Sequence, residues 1–487
     1  MLNYTGHYLI DIGIAAITAF AGKRNPKELT SRDLDAIADY MIENYIVDPL
    51  KSFLTVVFPN SGFTNPAFEK HPEKRKAYAE KVLRAYRPGT PVLDIPCIFT
   101  RKPAVGLSLD TRDKLDLGRA FRQHVPLTTG EGIVNFHPYG NAGLPVSGEA
   151  LLAIHAFPLG CAKVGGRLLA VHADNPQFTY RFAKRFLHQN RRTIHAVQSI
   201  GGKKIPEPKY RATTLLIQTL LEIEEELQWE EELIPSSITA YHLSNSGQGV
   251  KLDIYQLPLE ITDFLIAVRT PEYREGWDAI CRRGWEITRP KRRKDGTQEQ
   301  REPTYNAFYE DLFHLPDGAA SFIRTYFLRI PKQTKRKGDP RSTYSLKQEA
   351  NLVSWKLTDL FLRRVVKMEK ARIEYMRNLG DTLADYIVND NDRRFFHVFL
   401  TARSYGDLRT ALIKASHNRI KRRQMPLITF DQFIAIFEEG EEIPRSDWRL
   451  ARDLVLIRMI ERLYAQGWLQ EHVEELPEPE VETSGEK

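Results

Sequence analysis

Residues 429–467 read TFDQFIAIFEEGEEIPRSDWRLARDLVLIRMIERLYAQG, and they hold two helices with their own punctuation. Thr429 can cap the run FDQFIAIFEE, because a hydroxyl at that position accepts the free N–H groups of a first turn. Ser446 can cap the next segment, where Leu450, Leu454, Ile457 and Leu463 fall at helical spacing and make one apolar stripe. Gly467 supplies a stop. Working outward, residues 357–388 and 408–423 repeat the same period. About four helices on short loops predict an antiparallel bundle over residues 346–470. The final stretch, 471–487, holds seven Glu and one Lys. It has too few apolar residues to pack and is expected to be a disordered acidic tail.

Upstream of residue 346 the pattern changes. Ile10, Ile14, Ile17 and Ala21 predict a first helix. Leu34, Ile37, Tyr40 and Met41 predict a second that starts at Ser31. The apolar run 54–58 reads as a strand, and a charged helix follows to about residue 87. Residues 88–175 are dense in Pro and Gly, with short apolar segments between turns, and read as irregular β-rich structure. Residues 216–233 form an acidic amphipathic helix. SITAYHLSN and VKLDIYQLP flank SGQG, which signals a β-hairpin. The expected class is α+β: an irregular mixed α/β body over 1–345, then the helical bundle.

Of 487 residues, 42% are apolar and 27% charged. That is enough for a large core, and it leaves no uncharged apolar run of the roughly 18 residues a membrane helix requires. The first 23 residues lack the basic start and small-residue cleavage site of a signal peptide. Three widely spaced cysteines, Cys97, Cys161 and Cys281, fit a reducing cytoplasm rather than a disulfide framework. The net charge is +7, and without the acidic tail residues 1–470 carry +13. A basic body of this size points to a polyanionic partner.

Catalytic signatures are sparse. The chain has no phosphate-binding G-x-x-x-x-G-K-[ST] loop, no G-x-G-x-x-G and no H-E-x-x-H. His124, His137, His155 and His172 lie within 50 residues, and His172 could share a strand face with Asp174. No pair has metal-ligand spacing, so the expectation is no metal and no cofactor. The rival reading is a metal-dependent nuclease built on residues 124–174.

Positive charge is concentrated in three runs. RPKRRKD holds Arg289, Lys291, Arg292, Arg293 and Lys294, and KQTKRKGDPR includes Lys335, Arg336 and Lys337. HNRIKRR ends in Lys421, Arg422 and Arg423. Such density suits phosphate contacts, which fix position without reading sequence. The loop PNSGFTNPAF (59–68) is different in kind. Asn60, Ser61 and Asn65 could read a base edge, and Phe63 could wedge at a base step. The same string is also ordinary turn chemistry.

Four long strings carry a resemblance: NYTGHYLIDIGIAAITAFAGK (3–23), VVFPNSGFTNPAF (56–68), LTTGEGIVNFHPYGNAGLPVSGEALLAIHAFPLGCAKVGGRLLAVHADN (127–175) and FAKRFLHQN (182–190). They resemble the large subunit of type I-B CRISPR interference complexes, in its CxxC–CxxC branch. The resemblance is strong over residues 1–190, weaker through the middle, and returns in the C-terminal helices. In that family the stretch matching PVSGEALLAIH carries a Cys-x-x-Cys pair, whereas Ser147 and Ala150 stand there in this chain. The four-sulfur zinc site of relatives is thus not expected. Cys97 and Cys161 would be remnants, and His124, His137 or His172 the one remaining route to a metal.

The resemblance implies a non-enzymatic subunit of an RNA-guided complex in the cytoplasm. Its partners would be guide RNA, target double-stranded DNA, the backbone, 5′-handle-binding and small subunits, and a recruited helicase-nuclease or transposon-targeting protein. Its role would be to recognise a short duplex motif beside the target through Asn60, Ser61, Phe63 and Asn65, and to assist duplex opening. Met368 would be an internal translation start giving a small helical subunit, with Met376 as the fallback. A stand-alone RNA-binding scaffold is the third reading.

Overall fold

The computed structural model describes residues 2–128, 130, 142–227, 234–245, 249–292, 298–440 and 443–475. The chain is α+β and divides into two compact units, Met1–Leu259 and Glu260–Lys487. Residues 260–345 therefore belong to the same unit as the C-terminal helices, and the division falls well before residue 345.

The first unit opens with α1 (Tyr8–Phe20), α2 (Ser31–Asn44), α3 (Leu50–Leu54) and α4 (Pro72–Leu83). Thr30 and Asp33 form a reciprocal capping box at the start of α2. The run 54–58 is not a strand. It completes α3 and turns, and it buries Val57 and Phe58. A strand's alternation and a short buried helix look alike over five apolar residues. Short strands follow: β1 (Val92–Pro96), β2 (Pro103–Val105), β3 (Arg119–Ala120) and β4 (Leu144–Pro145), paired as two small antiparallel ladders. Next comes α5 (Gly148–Ala156), then β5 (Ala162–Val164) and β6 (Arg167–Ala173). The long α6 (Pro176–Ser199) and α7 (Ala212–Leu227) precede the hairpin strands β7 (Ile238–Ser244) and β8 (Lys251–Leu257).

One four-stranded antiparallel sheet, in the order β5-β6-β7-β8, anchors this unit. Helix α1 is buried almost all round, as its nearly unbroken apolar sequence requires. It lies between α5, α6 and β6. Gly13 allows the contact with α5, because a Cβ there would sit 1.9 Å from the Ala153 carbonyl oxygen.

The second unit contains α8 (Leu259–Val268), α9 (Pro271–Arg283), a two-residue hairpin of β9 (Lys291–Arg292) and β10 (Gln298–Glu299), α10 (Ala307–Asp311), α11 (Ala319–Phe322), α12 (Leu346–Glu349) and α13 (Trp355–Phe361). Trp277, Phe308, Phe322, Tyr326 and Phe361 build its aromatic core, with Phe322 stacked on Phe361 at 5.2 Å. This core explains why 260–345 joins the helices: its rings pack on α13. The helical part continues through α14 (Lys370–Asp390), α15 (Arg393–Thr401), α16 (Tyr405–Lys421), α17 (Phe430–Phe437), α18 (Trp448–Ala465) and α19 (Trp468–Glu471).

Thr429 caps α17 in a capping box with Gln432, and Gly467 ends α18 at φ 79°. The cap of α18 is Asp447, one residue beyond Ser446. The antiparallel expectation does not extend to the central pair. Arg372 meets Asp447, Asp381 meets Arg458 and Asp385 meets Arg462, so α14 and α18 run parallel, a nearly constant offset apart. Helices α15 to α17 lie between them in the chain and bring it back to its starting level. The acidic tail beyond residue 475 lies outside the described residues. No helix among those described is long and apolar enough to cross a membrane.

Candidate nucleic-acid interface

The loop 59–68 divides its residues between core and surface. Phe63 is fully buried, edge-on to Tyr45 and Tyr78 at 5.8 and 5.1 Å. Ser61 is also buried, its hydroxyl 3.1 Å from that of Thr64, which donates to the Phe58 carbonyl at 2.8 Å. Gly62 packs so tightly that a Cβ would lie 2.3 Å from the Tyr78 ring. Phe63 and Ser61 therefore cannot touch a base in this fold. A ring that size leaves water wherever a core will take it, and these rings form one. Asn65 caps the following turn, its Oδ1 accepting from the Ala67 N–H at 2.9 Å, and its carbonyl accepts from Arg75. Asn60 alone is exposed without such work, held at φ 60° at the loop tip.

The three basic runs also divide. Arg336 is tied down: it pairs with Glu310 at 2.7 Å and lies over the Tyr305 ring. Lys335 has interactions of its own, and Lys337 is exposed with no ion pair among the described residues. Arg422 pairs with Asp390 at 3.0 Å, whereas Lys421 and Arg423, at the end of α16, are exposed with no ion pair among the described residues. Arg289 is exposed just before β9, again with no ion pair among the described residues. Lys291 and Arg292 form β9, while Arg293 and Lys294 lie outside the described residues. A basic run in sequence thus mixes structural cations with free ones. An Arg near a buried carboxylate is held by a charge-assisted hydrogen bond and offers little to a ligand.

Three of the four candidate histidines have partners within the fold. His124 is buried; its Nδ1 accepts from the Phe121 N–H at 3.1 Å, and Nε2 donates to the Leu109 carbonyl. Burial lowers its pKa to about 3. His155 is buried and stacked on Phe58 at 4.9 Å. Its Nδ1 donates to the Leu151 carbonyl at 2.7 Å, and burial lowers its pKa to about 4. His172 does not share a site with Asp174. It faces α1, with Nε2 3.1 Å from Asp11 Oδ2, while Asp174 is exposed at the strand end. No sequence spacing announces a partner 161 residues away. His137 lies outside the described residues. Among those described, no cluster of three His, Cys, Asp or Glu side chains could hold a metal ion.

Ser147 and Ala150 lie at the start of α5. Ser147 caps α5, accepting the Ala150 N–H at 3.3 Å, and its hydroxyl lies 2.9 Å from that of Thr100. That hydrogen bond ties the turn after β1, which holds buried Cys97, to the start of α5. Cys161 donates its thiol proton to the Phe157 carbonyl at 3.1 Å, and burial raises its pKa well above the ordinary thiol value. It is a core residue, not an available thiolate. No protein-family model, curated protein or solved structure matches this chain.

Proposed function

We propose that this chain is the non-catalytic large subunit of an RNA-guided CRISPR surveillance complex. The observation that carries the reading is the set of four long, ordered strings in residues 3–190. Their surroundings support it. Asn60 stands exposed at a loop tip, and Arg289, Lys337, Lys421 and Arg423 offer a polyanion cations that have no ion pair among the described residues. Guide RNA reads the target by base pairing, and the protein recognises a short flanking motif and holds DNA by its backbone. A recruited helicase-nuclease, or a transposon-targeting protein, would complete the system.

Reconstitution tests this. Co-expressed with backbone subunits and a guide RNA, the chain should enter a stable complex that binds duplex targets in a flank-dependent way. Replacing Lys291, Arg292, Arg293 and Lys294 by Ala should weaken binding without changing flank preference. Each lost phosphate contact should reduce the salt slope by about 0.9. Failure of the chain to join any guide-bearing complex would overturn the reading.

A further inference from the structure

We propose that the solvent face of α6, with Lys203 and Lys204 beyond its end, is a phosphodiester groove for a single nucleic-acid strand. The inference rests on the nucleic-acid reading above and adds a surface that none of the three basic runs includes.

Helix α6 spans 24 residues and contains no Asp or Glu. It carries Arg181, Lys184, Arg185, Arg191 and Arg192, together with His188 and His195. At 100° per residue these seven side chains fall within an arc of about 120°. Most of the remaining arc is apolar and buried, with Phe178, Phe182 and Phe186 on one stripe and Ala183, Leu187 and Ile194 on another, although Gln189 and Gln198 are exposed. Residues 181–211 hold nine cations and one carboxylate, Glu207, which Lys163 engages at 3.2 Å.

Four of the nine are engaged within the fold, Lys209 and Arg211 having interactions of their own. Arg185 pairs with Glu222 and Glu226 of α7, and Arg191 lies over the Phe20 and Tyr40 rings at 4.9 and 5.7 Å. Arg181, Lys184, Arg192, Lys203 and Lys204 have no carboxylate within ion-pair distance among the described residues. The contrast is with α14 and α18, where Arg372, Arg458 and Arg462 are met by Asp447, Asp381 and Asp385. Like charges three and four residues apart cost roughly 0.2–0.5 kcal/mol per pair. Among the described residues, Glu222 and Glu226 offset that cost at Arg185 alone, and a polyanion would offset it at the other positions.

The face is also shaped. An open groove of 1120 Å³ runs beside it, lined by Tyr40 and Asn44 of α2, residues 188, 189 and 191–198 of α6, Ile200 and Pro206. No carboxylate lines it. Gln198 donates to the Asn44 side chain at 3.2 Å across its floor. Ile200 is 81% exposed at one end. Between the cations lie the Tyr40, His188 and His195 rings and the Ile200 side chain, which suit the faces of unstacked bases. A duplex would present only phosphates to them, so the groove is assigned to a single strand. From Arg181 to Arg192 the helix rises about 16 Å, enough to face roughly five phosphates of a stacked strand.

The test uses the full-length chain and labelled 20-mers of deoxythymidine and uridine, with a 20-base-pair duplex for comparison. Salt titrations compare the wild type with Arg181→Gln/Lys184→Gln/Arg192→Gln and with the charge-keeping Arg181→Lys/Arg192→Lys. The Gln variant should lower single-strand affinity and reduce the log–log salt slope by about 2, at roughly 0.7 per lost contact. The Lys variant should keep the slope, which separates charge loss from misfolding. Loss confined to the DNA 20-mer identifies the occupant as displaced strand, and loss confined to RNA identifies it as guide; either supports the groove. Wild-type binding that the Gln variant leaves unaltered, or a loss seen on duplex alone, overturns the groove and leaves the nucleic-acid reading standing. A wild type that binds none of the three probes, as when the occupant is an acidic protein, overturns both.

Discussion

His172 Nε2 lies 3.1 Å from Asp11 Oδ2, and that contact joins the central strand of the sheet to the first helix. Asp11 also accepts the backbone N–H groups of Thr5 and Gly6, at 2.7 and 2.9 Å, and is nearly excluded from water. One carboxylate thus fixes the entry of the chain, the start of α1 and the orientation of the imidazole. A buried carboxylate with several donors is stabilised by all of them together.

The two partners should differ in their effect on stability. Asp11→Ala strands two backbone donors and the imidazole and should cost about 3 kcal/mol. His172→Ala leaves Asp11 with its Thr5 and Gly6 bonds and should cost about 1 kcal/mol. Asp174→Ala, at an exposed position, should change nothing measurable. Urea denaturation of the three variants checks the order. An Asp174 effect equal to that of His172 would restore the pairing of those two as a site.

Acid should loosen the first unit before it affects the second. His155 and His124 are held neutral by burial, with pKa values lowered to about 4 and about 3. His155 Nε2 has no hydrogen-bond partner, so a proton there would have no acceptor. The unfolded chain takes up both protons near the ordinary value of about 6.5, and the native chain does not. Stability is therefore complete above about pH 6.5 and falls as pH drops below it, by about 2 kcal/mol per histidine at pH 5. Intrinsic amide exchange slows on going from pH 6.5 to 5, so the expected sign is a fall in the protection factors over residues 148–156, which His155→Gln should flatten. A pH-independent opening free energy would contradict the neutral-core assignment.

Within the 59–68 loop, folding and the proposed readout rest on different residues and can be tested apart. Phe63→Ala removes a fully buried ring and should cost about 3–5 kcal/mol. Asn60→Ala should leave thermal stability unchanged, apart from the strain of a non-glycine residue at φ 60°. In the assembled complex it should weaken the preference for the flanking motif by about 1–3 kcal/mol. A folded Asn60→Ala complex with full motif preference would remove this loop from recognition.

A chain starting at Met368 would hold residues 368–487, or 120 residues. Met368 lies just before α14, so such a product keeps α14 whole with its Arg372–Asp447 ion pair and its packing on α18. Met376 is fully buried inside α14, and a start there would remove Arg372 and Ile373. Expression of the intact gene should yield a second chain beginning at Met368 by mass spectrometry, abolished by Met368→Leu. A second chain that starts at Met376, or none at all, would refute the Met368 start.

What the sequence alone determined was local. Capping residues and apolar spacing placed α1, α2, α17 and α18 and the β7–β8 hairpin to within a few residues, because a cap and a stripe act within one turn. The division of the core was not local. Over five residues a buried turn of helix and a strand carry the same apolar run, so 54–58 needed its neighbours to be read. The parallel course of α14 and α18 depends on ion pairs about 77 residues apart, and the partner of His172 lies 161 residues away. Charge followed the same rule. A run such as 332–341 is conspicuous in sequence, yet the fold ties Arg336 and Arg341 to carboxylates. The cations of α6 are dispersed at helical spacing and become one face only when the helix forms. Composition counts charges, but only the tertiary structure decides which of them water, or a ligand, can reach.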